Sequence, residues 1–266
     1  MKSSSVLRFA AAVALSASAA TVANASLLSW NWTPSSPQPV GGGYGYNAAG
    51  GSIEFINTTF NTATKQLTFD IQFQGTLATR GFWLALNNGP DPKNQPGNYA
   101  LFYFDGTSFA NPKLTAYVYN GRNDGTSWQD GNGAAPGTPA GDLIRGVNET
   151  AGFLNSISAG DSSGKRRFQF NINAAPIIAH VPAFAAPDAS AYEGTGYGDK
   201  LGIWLHTLAN GVSYTYGGGR GGITAFNKGQ SEGWLDGNFF PTIPAPGSVA
   251  LLGMGGLLIA RRRRAA

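Results

Sequence analysis

Gly160-Asp161-Ser162-Ser163-Gly164 has the Gly-x-Ser-x-Gly spacing of a nucleophile elbow, and Asp188 or Asp199 followed by His206 stands in the chain order of a hydrolase triad. That chemistry needs a strand before the serine and a helix after it. The flanks are instead the polar run Asn155-Ser156-Ile157-Ser158-Ala159 and the basic Lys165-Arg166-Arg167 entering a strand, so a polar turn accounts for the motif. A trypsin-like order is excluded, because His180 and His206 both lie downstream of the serine. Gly217 to Gly222 fits Gly-x-Gly-x-x-Gly, but it leads into Ile223-Thr224-Ala225-Phe226 rather than a helix N-terminus. It reads as a glycine loop.

Metal chemistry is poorly supplied. With no Cys and two His, a zinc or copper site would need both histidines plus carboxylates from distant loops. Calcium wants oxygen ligands on turns, and Asn120-Gly121-Arg122-Asn123-Asp124-Gly125 with Asp130-Gly131-Asn132 could provide them. Against this, Arg122 falls where an EF-hand has an acid, and no Glu closes the loop. Ordinary Asx turns account for these residues, so no cofactor is expected and calcium is the one candidate. A glycosidase needs two facing carboxylates, and Glu54, Glu149, Glu193 and Glu232 are scattered along the chain. No catalytic residue can be nominated, and the chain reads as a non-enzyme.

Aromatic side chains are the remaining handle, because flat rings stack on sugars. Trp83, Trp128 and Trp204, with Asn87 and Asp91 as polar neighbours, form the candidate sugar-binding set. Trp234, Tyr117, Tyr119, Tyr214 and Tyr216 could join them. The loop from Asn87 to Pro92, directly after the Trp83 strand, is the expected location. The competing reading is that these rings are core or cross-strand pairs. Asn31-Trp32-Thr33, Asn57-Thr58-Thr59 and Asn148-Glu149-Thr150 are formal sequons, a pattern common by chance.

The elements that must carry these residues are strands. Leu67, Phe69, Ile71 and Phe73 alternate with polar residues, as do Phe168, Phe170 and Ile172. Further strands are expected at 53–57, 82–87, 99–105, 114–120, 201–208, 212–216 and 234–239. Asn210-Gly211 predicts a hairpin between two of them, because both residues tolerate positive φ. Residues 34–51, dense in Pro and Gly, read as a loop within a loop-rich leader, 26–51. Gly and Pro together number 53, charged residues are 12% and aromatics 12%, which argues against both a helical bundle and charge-driven disorder. The expected fold is all-β, an antiparallel sandwich or jelly roll. In strand pattern alone it resembles the concanavalin-like lectin fold.

The charge balance of 18 Lys+Arg against 14 Asp+Glu is misleading as a total. Six of the basic residues, Lys2, Arg8 and Arg261 to Arg264, stand at the two ends, leaving 12 against 14 between them. The middle is weakly acidic, and nucleic acid is excluded as an expected partner. Lys2 and Arg8 precede an Ala-rich apolar run ending Ala23-Asn24-Ala25, with small residues where signal peptidase requires them. Residues 1–25 therefore read as a signal helix removed after Ala25, and 26–243 as the exported domain. The absence of Cys rules out disulfides and a lipoprotein anchor.

Residues 244–266 combine Pro244-Ala245-Pro246, an uncharged Gly- and Leu-rich run and four arginines, Arg261, Arg262, Arg263 and Arg264. A helix over 247–260 would rise only about 21 Å, a marginal span. The arginines would stop it on the cytoplasmic side, leaving the domain outside. The arrangement resembles the PEP-CTERM sorting tail of Gram-negative bacteria that make extracellular polysaccharide; Ala245 stands where that family has Glu. The resemblance implies an exosortase-like processing enzyme as partner after signal peptidase. It also implies an inner-membrane intermediate with the domain in the periplasm, then delivery to the cell surface or beyond. The expected function is that of a non-catalytic surface or matrix protein. The alternatives are a lectin-like module for extracellular polysaccharide and, third, a secreted hydrolase. An exposed aromatic strip would separate the second from the first.

Overall fold

The structure, a computed structural model, describes residues 27–36, 40–46, 52–75, 79–89, 92, 99–119, 141–145, 148–181, 197–198, 200–219 and 221–241. The signal at 1–25 with Ala23 and Ala25, and the tail at 244–266 with Pro244, Ala245, Pro246 and Arg261 to Arg264, lie outside them. In chain order the strands are β1 (Leu27–Trp32), β2 (Val40–Tyr46), β3 (Ile53–Asn61), β4 (Gln66–Phe73), β5 (Gly81–Asn87), β6 (Ala100–Asp105) and β7 (Lys113–Tyr119). They continue as β8 (Gly141–Arg145), β9 (Leu154–Ser162), β10 (Lys165–Asn173), β11 (Leu201–Leu208), β12 (Val212–Tyr216), β13 (Ile223–Lys228) and β14 (Ser231–Phe239), with one short helix, α1 (Ala175–Ile178), after β10. No helix among the described residues is long and apolar enough to cross a membrane.

All-β expectation and structure agree. A five-stranded sheet, β1-β3-β4-β10-β9, packs on a seven-stranded sheet, β2-β14-β11-β5-β6-β7-β8, and β12 and β13 form a separate hairpin. Every pairing is antiparallel. Side chains alternate across each strand, so the sandwich interior takes Phe69 and Phe73 from β4, Phe168 and Phe170 from β10, and Phe82, Phe102 and Phe104 from the facing sheet. The rings interlock across the gap: Phe69 lies 5.5 Å from Phe82, Phe102 5.4 Å from Phe170, and Phe104 5.1 Å from Phe168. Each ring so buried contributes about 1.5–3 kcal/mol.

The outward face of the five-stranded sheet is a polar ladder. Arg167 grips Asp70 with two hydrogen bonds of 2.8 and 2.6 Å, and Glu54 is held by Lys165 and by Gln72. The outward face of the seven-stranded sheet is aromatic. There the hairpin lies over one half, so β5 and β6 are buried on both faces, which explains their unbroken apolar sequence.

Three expectations need correction. Residues 34–51 are not all loop, because Val40 to Tyr46 is the edge strand β2, paired with β14. Its sequence, Val-Gly-Gly-Gly-Tyr-Gly-Tyr, carries no side-chain alternation to read. Asn210-Gly211 is a turn, with Gly211 at φ +85°, but it joins strands of different sheets. β12 pairs instead with β13, and the hairpin turn is the glycine run, where the Gly217 N–H donates to the Gly222 carbonyl at 2.9 Å. The polar run Asn155 to Ala159 is the edge strand β9, and the turn is Ser163-Gly164, both at positive φ as a two-residue hairpin requires.

Candidate functional site

The pleat sends Trp83, Ala85 and Asn87 of β5 outward, together with Trp204, His206 and Leu208 of β11 and Trp234, Asp236 and Asn238 of β14. Register then aligns them. Gly45, Trp234, His206, Trp83, Tyr103 and Thr115 are successive cross-strand partners in one row over six strands. Gly43, Asp236, Trp204, Ala85 and Leu101 form the next row.

Within these rows the rings touch. His206 stacks on Trp83 at 4.4 Å and 12°, and Trp204 meets Trp83 edge-on at 5.1 Å. Exposure falls along the first row: Trp234 is 38% exposed, His206 is half-buried, Trp83 is 6% exposed and Tyr103 is fully buried. Trp204 is also half-buried. The open part of the face is thus Trp234, His206 and Trp204, with Trp83 as its floor.

At the sheet edge β2 is tied down by Asp236, whose Oδ1 accepts the Gly43 N–H at 2.7 Å. The pairing is irregular there: a register shift falls between Asp236 and Asn238, and Gly237 has φ +132°. A Cβ on Gly42 would sit 2.1 Å from the Asp236 carbonyl oxygen, so the backbones approach as closely as only glycine allows.

The other half of the face is closed by the β12–β13 hairpin. Phe226 packs on Tyr103 at 5.4 Å and on Tyr214 at 5.0 Å. The Tyr117 hydroxyl accepts the Ile223 N–H at 2.7 Å, Tyr216 donates to Asp105 Oδ2 at 3.0 Å, and Tyr214 donates to the Phe104 carbonyl at 3.4 Å. Burial pushes Tyr117 up to about 12 despite that N–H. Burial, and then the Asp105 charge, hold Tyr214 and Tyr216 well above the ordinary tyrosine range.

The other predicted residues disperse. Asn87 is buried and its Oδ1 accepts the Gly89 N–H at 2.9 Å, so it shapes the turn that follows β5. Trp128, Asp91, Asp188, Asp199, Glu193 and the oxygen-rich turns at 120–125 and 130–132 lie outside the described residues. Ser162 ends β9 in the five-stranded sheet, whereas His206 lies on the outer face of the other sheet. Glu232 accepts the Thr79 hydroxyl at 2.6 Å, and Glu54 sits in the polar ladder, where the Lys165 hydrogen bond holds its carboxyl below the usual range. Among the described residues, no three His, Asp or Glu cluster as a metal would require. Gly43, Gly45 and Asp236 were not nominated from the sequence, because their role depends on register.

No protein-family model and no curated protein matches the chain. A solved structure from work on pH-induced modulation of Streptococcus parasanguinis adhesion by Fap1 fimbriae aligns with 83% of this chain and 98% of its own, at 12% identity and a TM-score of 0.27. Similarity at that level carries no argument about fold or function.

Proposed function

We propose that this is an exported, non-catalytic surface or matrix protein that binds extracellular polysaccharide through the open half of its aromatic face. One observation carries the reading. Trp234, His206 and Trp204 stand together and partly exposed on one rigid sheet, beside a face of the same sheet whose aromatics are fully buried. Rings that are flat, held by cross-strand packing and open on one side suit the apolar faces of sugars. Export by the signal at 1–25 and delivery through the PEP-CTERM-like tail, with processing near Pro244-Ala245-Pro246, belong to the same proposal.

A glycan array probed with the full chain tests the binding. The expected result is retention on neutral polysaccharides, reduced at least tenfold by Trp234→Ala combined with Trp204→Ala. Silence across the array, or unchanged retention by the double variant, overturns the reading. Mass spectrometry of the surface-displayed protein tests the tail separately. An intact terminus ending Arg264-Ala265-Ala266 would defeat processing.

A further inference from the structure

The open face has a direction. Its rows run across the strands, and neighbouring strands lie about 4.8 Å apart, so the stretch from β2 over β14 and β11 to β5 measures roughly 14 Å. Toward β5 the row runs into the hairpin, where Trp83 shares a buried cluster with Val212 and Tyr103 lies beneath Phe226. Toward β2 the rows end on Gly45 and Gly43, at the edge of the sheet. Among the described residues, the shelf is walled at one end and open at the other.

The two glycines at the open end are needed for room, not for backbone. Neither has a positive φ, so an L residue could adopt either conformation. A Cβ on Gly45 would instead fall 2.6 Å from Nε1 of Trp234 and 3.0 Å from its Cε2, so the indole would have to shift to admit it. A Cβ on Gly43 would meet the same ring at 3.4 Å, an ordinary packing distance. The indole therefore lies along β2 in space that Gly45 leaves clear. Gly42 differs from both, since its close neighbour is the β14 backbone.

Charge narrows the ligand. Among the described residues, the outward positions of β2, β14, β11 and β5 carry no lysine or arginine, and the shelf's carboxylate, Asp236, is buried against β2. An anionic chain laid on these two rows would meet no lysine or arginine of the four strands among the described residues, Lys200 just before β11 lying over Phe240 instead, and its desolvation on the rows would go uncompensated.

We infer that the shelf receives the terminal rings of a neutral polysaccharide laid across the strands, with the rest of the chain leaving over β2, and that Gly45 is the positioning residue that seats Trp234 for it. This rests on the carbohydrate reading above. Roughly 14 Å accommodates about three pyranose rings before the hairpin stops the chain.

The test titrates the full chain with β-linked gluco-oligosaccharides of one to six units, with the matching α-linked series and with oligogalacturonate, by calorimetry and tryptophan fluorescence. In the neutral series that binds, affinity should climb to about three units and then level, and oligogalacturonate should bind at least tenfold more weakly. Gly45→Ala should reduce affinity at least tenfold and shift the tryptophan emission, while Gly43→Ala changes affinity less than about threefold. Affinity still rising through six units overturns end-on binding, and tighter binding of the uronate chain overturns neutrality. A folded Gly45→Ala protein with unchanged affinity overturns the role of Gly45. Should Gly45→Ala fail to fold, Trp234→Ala replaces it as the probe of the open end, and unchanged binding in that variant overturns the placement. If no saccharide binds and the array is also silent, the carbohydrate reading itself fails; array binding with a length profile that does not level defeats this inference alone.

Discussion

The two halves of the outer aromatic face share one sheet and similar residue types, yet they end differently. On one half Tyr103, Tyr117 and Leu101 lie under a hairpin whose own Tyr214, Tyr216 and Phe226 complete a second core. The hydroxyls of Tyr117, Tyr214 and Tyr216 reach across that contact to main-chain groups or Asp105. On the other half the rings are Trp and His, and Trp234 keeps 38% of its surface. Burial is worth about 25 cal/mol per Å² of apolar surface, so covering the second half would also have stabilised the fold. Aromatic content alone therefore does not separate core from platform. What separates them is whether a further strand pair lies over the sheet.

The largest effect should come from cutting into the covered half. Phe226→Ala removes the ring wedged between Tyr103 and Tyr214, and a buried Phe-to-Ala truncation costs about 3–5 kcal/mol. For a domain of this size that lowers Tm by roughly 10 °C. Trp234→Ala should cost less, about 1–2 kcal/mol, because its side chain is only partly buried, while weakening glycan binding. Thermal unfolding and the array, read side by side, check this pair. Equal stability losses in the two variants would break the distinction between the halves.

Alkaline titration should sharpen it. Tyr117 is pushed up to about 12 in the fold against roughly 10 in the unfolded chain, so its contribution is complete below pH 10 and is lost as pH rises toward 12. Two pH units correspond to roughly 2–3 kcal/mol. Tyr117→Phe should lower neutral stability by about 1 kcal/mol through the stranded Ile223 N–H, and should flatten the fall above pH 10. Denaturant midpoints from pH 8 to 12 measure both. A limb just as steep in Tyr117→Phe would assign the alkaline weakness to other groups, Tyr214 and Tyr216 of the same half first among them.

Much of this architecture could be read from residue order, and the failures have physical causes. β4 and β10 were legible because one face of each is core and the other polar ladder, so Phe and Ile alternate with Gln, Asn and Thr. β2 was not, since a strand whose glycines make space for Trp234 and for the β14 backbone leaves no alternation. β9 is an edge strand with little buried surface, and its Ser and Asn read as turn. Trp83 and Trp204 could be nominated from type alone. Their alignment with His206 and Trp234 could not, because it depends on which strands pair and in what register. Asn87, nominated with them, accepts the Gly89 N–H in the turn that follows β5.

The smallest expected effect belongs to the opposite sheet, and it tests whether acid and alkali act on different parts of the molecule. Arg166 is buried against Phe109, donates to the Thr79 carbonyl at 2.6 Å, and holds Asp161 through bonds of 2.8 and 2.9 Å. Those bonds keep the Asp161 carboxyl below its usual range. A folded pKa depressed below the unfolded one near 3.9 gives stability that is present above pH 4 and lost as pH falls through the folded value. The Asp161 side chain is 35% exposed, so solvent screens the pair and its contribution stays under about 1 kcal/mol. Asp161→Asn should therefore make the acid limb below pH 4 slightly shallower and leave the limb above pH 10 and the glycan affinity unchanged. If the same substitution altered the alkaline limb, the two sheets would be coupled through the phenylalanine core, and the covered and open halves could no longer be treated as separate parts.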